Sequence, residues 1–202
     1  MIDPEVQKTR KAEFEVNAHI LNRWSPRSFT GEEINDKELF SLFEAARWAP
    51  SSFNNQPWRF VYAKKNSPHW ALLFNLLADS NKQWCEKASA LAVVVSLKTF
   101  EHNGKPSFTH QFDAGAAWQN LAIQATTLGL ATHGMAGFDY EKARKDLGVP
   151  EGYEVMAMIA IGRRGPKESL PSELQKREAP SGRKPLGEIL MEGKFGNKPG
   201  LP

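Results

Sequence analysis

Apolar residues recur along this chain with two periods, one helical and one extended. In NDKELFSLFEAARW, Leu39, Leu42, Phe43 and Ala46 fall at i, i+3, i+4 and i+7 and share one helical face. Asn35 and Glu38 stand at capping-box spacing before them, which predicts a helix from there to the Trp48–Pro50 boundary. Leu72, Leu73, Leu76 and Leu77 form a stripe that predicts a helix over 69–87. From Asp113 to Leu128, Ala114, Ala117, Trp118, Leu121, Ala125 and Leu128 share a face, and Gly129 follows as a stop. Ala116, Ile123 and Leu130 lie on the other side, so this central helix is expected to be buried nearly all round, against a second helix or a second subunit. Asp3 before Pro4 predicts a further helix running towards Ile20 and Leu21.

Strands are expected where the apolar runs are short. RFVYA (59–63) reads as one, and ALAVVVSL (90–97) as a central strand covered on both faces. LATHGMAGFD runs as a strand into a glycine loop, Asp139 is placed to cap a short helix to Leu147, and EVMAMIAIG (154–162) is another buried strand. Residues 98–110 read as loop. After Gly162 prolines at 166, 171, 180, 185, 199 and 202 predict an extended arm with one helical turn near Leu186–Met191. The expectation is one domain over 1–202, with residues 163–202 as the arm. Such an arm orders only when it packs on something, and a partner subunit is the natural surface.

Composition narrows the classes. Apolar residues make up 41% and charged residues 24%, and no run approaches the ~18 apolar residues of a membrane span. The N-terminal stretch is charged throughout and lacks the apolar core of a signal peptide, so a soluble, cytoplasmic protein with no membrane partner is expected. Cys85 is the only cysteine, which excludes an internal disulfide, and no Cys/His cluster has zinc spacing, so no metal is expected. The net charge is +3, while residues from Arg163 onward carry nine Lys/Arg against five Glu, so the excess sits in the tail. The tail has no RNP-type aromatic pattern and no recognition-helix signature, which favours a small anion or solubility over nucleic acid.

Two clusters carry candidate chemistry. In NRWSPRSF, Arg23, Ser25 and Arg27 lie within five residues; two guanidiniums and a hydroxyl at this density bind a phosphate or form a solvated basic turn. In RWAPSSFNNQPWRFVYA, Ser51, Ser52, Asn54, Asn55 and Gln56 crowd a loop between Pro50 and Pro57. Amides that both give and accept hydrogen bonds suit a ligand edge of alternating donors and acceptors, and equally cap the loop itself. His110 and His133 are candidate acids or bases, or structural histidines. Phe108, Phe112 and Trp70 are candidates for an aromatic substrate mouth, or for packing.

RWSPRSF followed by APSSFNNQPWRF resembles the nitroreductase family of FMN-dependent oxidoreductases. The likeness continues through DAGAAWQNLAIQATTLGL, HGMAGFD, the strand ending AIG, and SGRKPLGEIL, in the right order over roughly residues 18–190. The resemblance implies an α+β fold, a mixed β-sheet flanked by helices, and an interlocked homodimer with FMN in two clefts at the interface. It places Arg23, Trp24 and Ser25 at the FMN phosphate and Arg27 at the pyrimidine edge of the flavin, where a cation offsets the negative charge of reduction. Pro50, Ser51, Ser52 and Asn54 would reach the FMN of the other subunit, and Asn81, with Gln83 as its rival, would face the flavin. Met135, Ala136 and Gly137 would lie beside the ring, and Arg183, with Lys184, would return to the phosphate from the tail.

The implied activity is hydride transfer from NAD(P)H through FMN to a small-molecule acceptor such as a nitroaromatic, a quinone or an electron-poor alkene, in two steps at one cleft. Chemistry on the cofactor needs no protein nucleophile, and no catalytic side chain is nominated. A nicotinamide that visits the flavin needs no separate Gly-x-Gly-x-x-Gly site, and the chain has none. Some family members carry an acid just before the glycine matched by Gly137; here Ala136 stands there, so protons come from water or substrate. Other FMN chemistries of the wider superfamily (dehalogenation, flavin cleavage, dehydrogenation) and a flavin-binding protein with little turnover are the alternatives.

Overall fold

The computed structural model describes residues 1–201. Its elements run α1 (Pro4–Gln7), α2 (Ala18–Asn22), α3 (Asp36–Arg47), β1 (Trp58–Lys64), α4 (Trp70–Phe74), α5 (Asp79–Cys85), β2 (Ala90–Leu97), α6 (His110–Thr127), β3 (Leu130–Met135), α7 (Tyr140–Asp146), β4 (Tyr153–Arg163), α8 (Ser172–Gln175) and α9 (Leu186–Ile189). The strands form one sheet in the order β1-β2-β4-β3.

Every neighbouring pair in that sheet is antiparallel, where the resemblance implied a mixed sheet. The reason is the place of β4. Strands β2 and β3 run in the same direction and are joined by the crossover helix α6, but β4 inserts between them, so no two parallel strands are neighbours. The α+β class holds.

The alternation of β2 builds the layers. Leu91, Val93 and Val95 face a cluster with Leu73, Leu76, Trp84, Cys85, Met135 and Ala143 from α4, the segment after it, α5, β3 and α7. Ala90, Ala92 and Val94 face the opposite cluster, with Leu39, Leu42 and Ala46 of α3 and Ala117, Leu121 and Ala125 of α6. Alanines on α6 let its backbone approach the sheet and α3, while Leu39, Leu42 and Leu121, fully out of water, contribute roughly 2 kcal/mol apiece. The reciprocal Asn35–Glu38 capping box is formed, and the Asp139 carboxylate caps α7 by accepting the Lys142 N–H.

Three helical expectations change. The expected helix from residue 4 to 21 is two short helices, α1 and α2, parted by an irregular segment in which Arg10 donates to the carbonyls of Leu21, Arg23 and Ser181. The expected 69–87 helix breaks between α4 and α5 because its backbone is drawn into other pairings. Leu77 bridges to Phe138, the Ala78 N–H donates to Gly137 and the Asp139 N–H donates to Leu76. Helix α6 starts at His110, and its outer face is open in the single chain, with Phe112 80% exposed.

The arm folds back on its own chain through a 3-10 turn at Lys167–Ser169 and α8, and beyond residue 180 it is still tied there, the Ser181 carbonyl accepting from Arg10 Nε and the Leu186 N–H donating to Glu13. Leu170, Glu178 and Pro180 are buried, whereas nearly everything from Ser181 to Leu201 is exposed or half-exposed. No helix among the described residues is long and apolar enough to cross a membrane.

Candidate functional site

A cleft of about 280 Å³ lies where the segment after α2 meets β3 and the returning arm. It is lined by Arg10, Arg23, Arg27, Arg177 and Arg183 with Trp24, Ser25, His133, Ala179 and Ser181, and no acidic side chain is among them. Arg23 makes one side-chain hydrogen bond, to Ser25 Oγ at 3.4 Å. Burial, then the charge of Arg183, pushes the Arg23 guanidinium below its ordinary pKa, and burial with Arg183 and Arg23 does the same to Arg10. Like charges held together, three half-buried and two exposed, without an acidic side chain lining the cleft among the described residues, make a site for an anion.

The backbone beneath Arg27 is held from the arm. The Glu178 carboxylate, 5% exposed, accepts the Arg27 N–H at 2.9 and 3.0 Å and the Ser28 N–H at 2.9 Å. Arg10 ties the other side, its Nε donating to the Ser181 carbonyl at 2.9 Å and its Nη1 to the Arg23 carbonyl at 2.8 Å. Trp24 is buried under the Arg164 guanidinium, 4.7 Å from the ring centre, so it packs rather than opening the cleft.

From the cleft a line of contacts leads along the sheet to the glycine loop. His133 gives its Nδ1–H to the Pro26 carbonyl at 2.9 Å, and its ring centre is 4.7 Å from that of Trp84. Trp84 Nε1 donates to Asn81 Oδ1 at 3.2 Å, and Asn81 Nδ2 donates to the Gly137 carbonyl at 2.9 Å. Gln83, the rival of Asn81, turns back to the Ser80 carbonyl. Ala136 and Gly137 are exposed, while Met135 is buried with its sulfur 3.5 Å from Cys85 Sγ. Burial raises the Cys85 pKa, so that thiol is inert filler. Burial pushes the His133 imidazole down to about 4, with Arg27 and Arg23 acting the same way and the Pro26 carbonyl opposing, so it is neutral at pH 7.

The serine and asparagine loop stands elsewhere. It enters β1 at Trp58, paired with Ser96, whereas His133 sits on the far edge strand at the level of Leu91. Three strand spacings of ~4.8 Å and five residues at ~3.3 Å put these two backbones roughly 20 Å apart. Phe53, Asn54 and Gln56 hold φ of 52°, 53° and 46°, an unusual run of left-handed residues without glycine. Asp113 of α6 accepts the Ser52 N–H at 3.1 Å, Gln56 donates its N–H to Ser51 Oγ, and buried Asn55 bridges Thr99 and Glu101. Pro50 and Asn54 are exposed and Ser51 and Ser52 half-buried. The loop is fixed, strained and presented outward.

The structure therefore brings Arg23, Trp24, Ser25, Arg27 and Arg183 together, links Asn81, Met135, Ala136 and Gly137 to them, and keeps Pro50, Ser51, Ser52 and Asn54 apart. Lys184 lines a neighbouring groove with Phe14 and Leu186 and not the arginine cleft. Arg10, Arg177 and Glu178 join the site without having been expected; each sits in a short charged run of an irregular segment, KTRK (8–11) or KRE (176–178), where no period or motif marks it. His110 is structural, its Nδ1 at 3.1 Å from Ser96 Oγ at the buried start of α6. Phe108 and Phe112 are 97% and 80% exposed near one end of β2, while Trp70 stacks on Phe74 near the other, so they form no common mouth in one chain. Among the described residues no cluster has a metal-binding set of ligands.

Comparison with known proteins agrees with this geometry. Protein DrgA of Synechocystis is 30% identical over 199 residues, covering 85% of this chain and 92% of that protein. A Thermus thermophilus protein named NADH dehydrogenase is 26% identical over 202 residues, with the same coverage of each. A solved structure described as an oxidoreductase containing FMN superposes with a TM-score of 0.90 at 46% identity, covering 94% of this chain and 97% of that one. The profile of the Nitroreductase family matches residues 20–163, from α2 through β4, and by that match the chain belongs to the nitroreductase family.

Proposed function

We propose that the protein is an FMN-dependent oxidoreductase that takes hydride from NADH or NADPH and passes it to nitroaromatics, quinones or similar electron-poor acceptors in two half-reactions at one cleft. The arginine cleft carries this reading. Its guanidiniums other than Arg27 and the Ser25 hydroxyl fit a dianionic phosphate, and the next stretch of surface, the Asn81 amide and the glycine loop, offers the side-chain and backbone groups that a flat heterocycle with polar edges requires. The solved relative at 46% identity is described as containing FMN, and the Thermus relative is named NADH dehydrogenase, which supports both cofactor and donor.

In this reading Arg23, Ser25 and Arg183 hold the phosphate, with Trp24 packed behind them, and Asn81, Met135, Ala136 and Gly137 border the ring. Bound FMN supplies the hydride acceptance and release. Arg27 sets a positive charge beside the group that grows more negative on reduction. His133, neutral at pH 7, has its one ring proton engaged on the Pro26 carbonyl, and Ala136 offers none, so solvent supplies protons. The chain acts in this account as one domain and as a homodimer in the cytoplasm. Pro50, Ser51, Ser52 and Asn54, on the loop that enters β1 across the sheet from the cleft of their own chain, complete the cleft of the second subunit. The open outer face of α6 and the exposed end of the arm provide the contact surface.

The test is steady-state turnover. With FMN bound, NADH or NADPH is expected to be oxidised when menadione or nitrofurazone is present. FMN-loaded protein that turns over neither acceptor contradicts the proposed reaction.

A further inference from the structure

We propose that Glu178, in the arm beyond the family-matched segment, is a positioning residue of the cofactor cleft that acts through Arg27. The inference rests on the cofactor reading above.

Glu178 is a buried carboxylate that pairs with no side chain among the described residues; both its oxygens are used on two consecutive backbone N–H groups, those of Arg27 and Ser28. Hydrogen bonds to an ionised acceptor are roughly twice as strong as neutral ones, so this peptide is held firmly. The arm grips the same point a second time. Ser28 Oγ donates to the Pro166 carbonyl at 2.6 Å and lies 2.9 Å from Ser169 Oγ, and the Gly165 N–H donates to the Ser28 carbonyl. The Arg27 guanidinium itself makes no hydrogen bond or ion pair among the described residues, so its direction into the cleft is set by its backbone. The residue before Glu178, Arg177, lines the cleft as well, so one carboxylate fixes the place of two cations.

The chemistry requires a carboxylate. A glutamine has one acceptor oxygen, and its NH2 group would meet a donor N–H at the second position. Glu178→Gln keeps the shape and can leave its one oxygen on both N–H groups, but it removes the charge and sets an NH2 group against the Arg27 N–H at the second position, so the hold on Arg27 weakens.

The experiment compares full-length wild type, Glu178→Gln, Arg27→Ala and the double variant by FMN titration of apo-protein, by the midpoint potential of bound FMN, and by thermal unfolding of the apo-protein. Glu178→Gln is expected to weaken FMN binding by about tenfold and to make the potential more negative. The double variant is expected to lose little beyond the worse single one, because both act on one group. Thermal destabilisation with wild-type affinity and potential would overturn the proposal, as would fully additive losses. If Glu178→Gln does not fold, Glu178→Asp replaces it: its shorter reach predicts smaller shifts in the same directions, and wild-type values overturn the proposal. Failure of wild type to bind FMN would overturn the cofactor reading instead, and it shows before any variant is compared.

Discussion

Asn81 and Gly137 compete for one space: the Asn81 Nδ2 donates to the Gly137 carbonyl at 2.9 Å and stands 2.6 Å from where a Cβ on residue 137 would lie. Gly137 is thus needed for a close approach and not for an unusual φ. The contact closes the line His133–Trp84–Asn81–Gly137 that joins the arginine cleft to the exposed glycine loop.

Gly137→Ala is expected to push the Asn81 amide away. The obstruction is the end of a flexible side chain, so the stability loss is about 1 kcal/mol, the net value of one hydrogen bond. FMN affinity falls with it, because the ring-side amide has moved. Urea unfolding and FMN titration check both, and wild-type behaviour in both would remove Asn81 from the site.

Arg23→Ala is expected to lower FMN retention on purification by roughly tenfold to a hundredfold in affinity, the range for a charge-assisted contact. Binding of riboflavin, which lacks the phosphate, should change much less. Full flavin occupancy in the variant would mean that the phosphate sits elsewhere.

Stability should depend on His133 between about pH 4 and 6.5. Its folded pKa, lowered to about 4, lies below the unfolded value near 6.5, so the unfolded chain binds the extra proton in that window. Stability is therefore fully present above the window and is lost as pH falls through it, by on the order of 3 kcal/mol. Denaturant curves at pH 7 and pH 4.5 should converge for wild type and His133→Gln in their other pH terms, leaving wild type with the steeper loss; equal slopes would contradict the assignment.

The proposed homodimer would bring the Asn54 loop to a cleft from which it is parted within one chain. Light scattering on flavin-loaded protein is expected to give twice the mass of the 22.6 kDa chain. A flavin-loaded monomer would show that one chain builds the whole site, and the role given to Ser51, Ser52 and Asn54 would then be wrong.

Local signals carried most of the fold. The Asn35–Glu38 box, the Asp139 cap and the unbroken run Ala90–Leu97 are written in neighbouring residues, and each appears where its pattern puts it. The leucine stripe of 69–87 misled because Leu77 pairs with Phe138, a partner 61 positions away by their numbers, and a helical period carries no mark of that bridge. The placement of β4 between β2 and β3 is likewise a choice between long-range pairings. At the site, Arg23, Ser25 and Arg27 were legible as a dense basic motif, while Arg10, Arg177 and Glu178 gain their meaning only when the arm returns to the segment after α2.

A cleft that holds FMN and receives hydride from a nicotinamide would report itself in the flavin absorbance. The most direct measurement is the absorbance spectrum of the purified protein before and after anaerobic NADH or NADPH, with the released flavin identified by chromatography. FMN is expected in a yellow protein that bleaches on addition of the nicotinamide. A colourless protein that does not take up FMN, or bound FMN that neither nicotinamide bleaches, would contradict this reading.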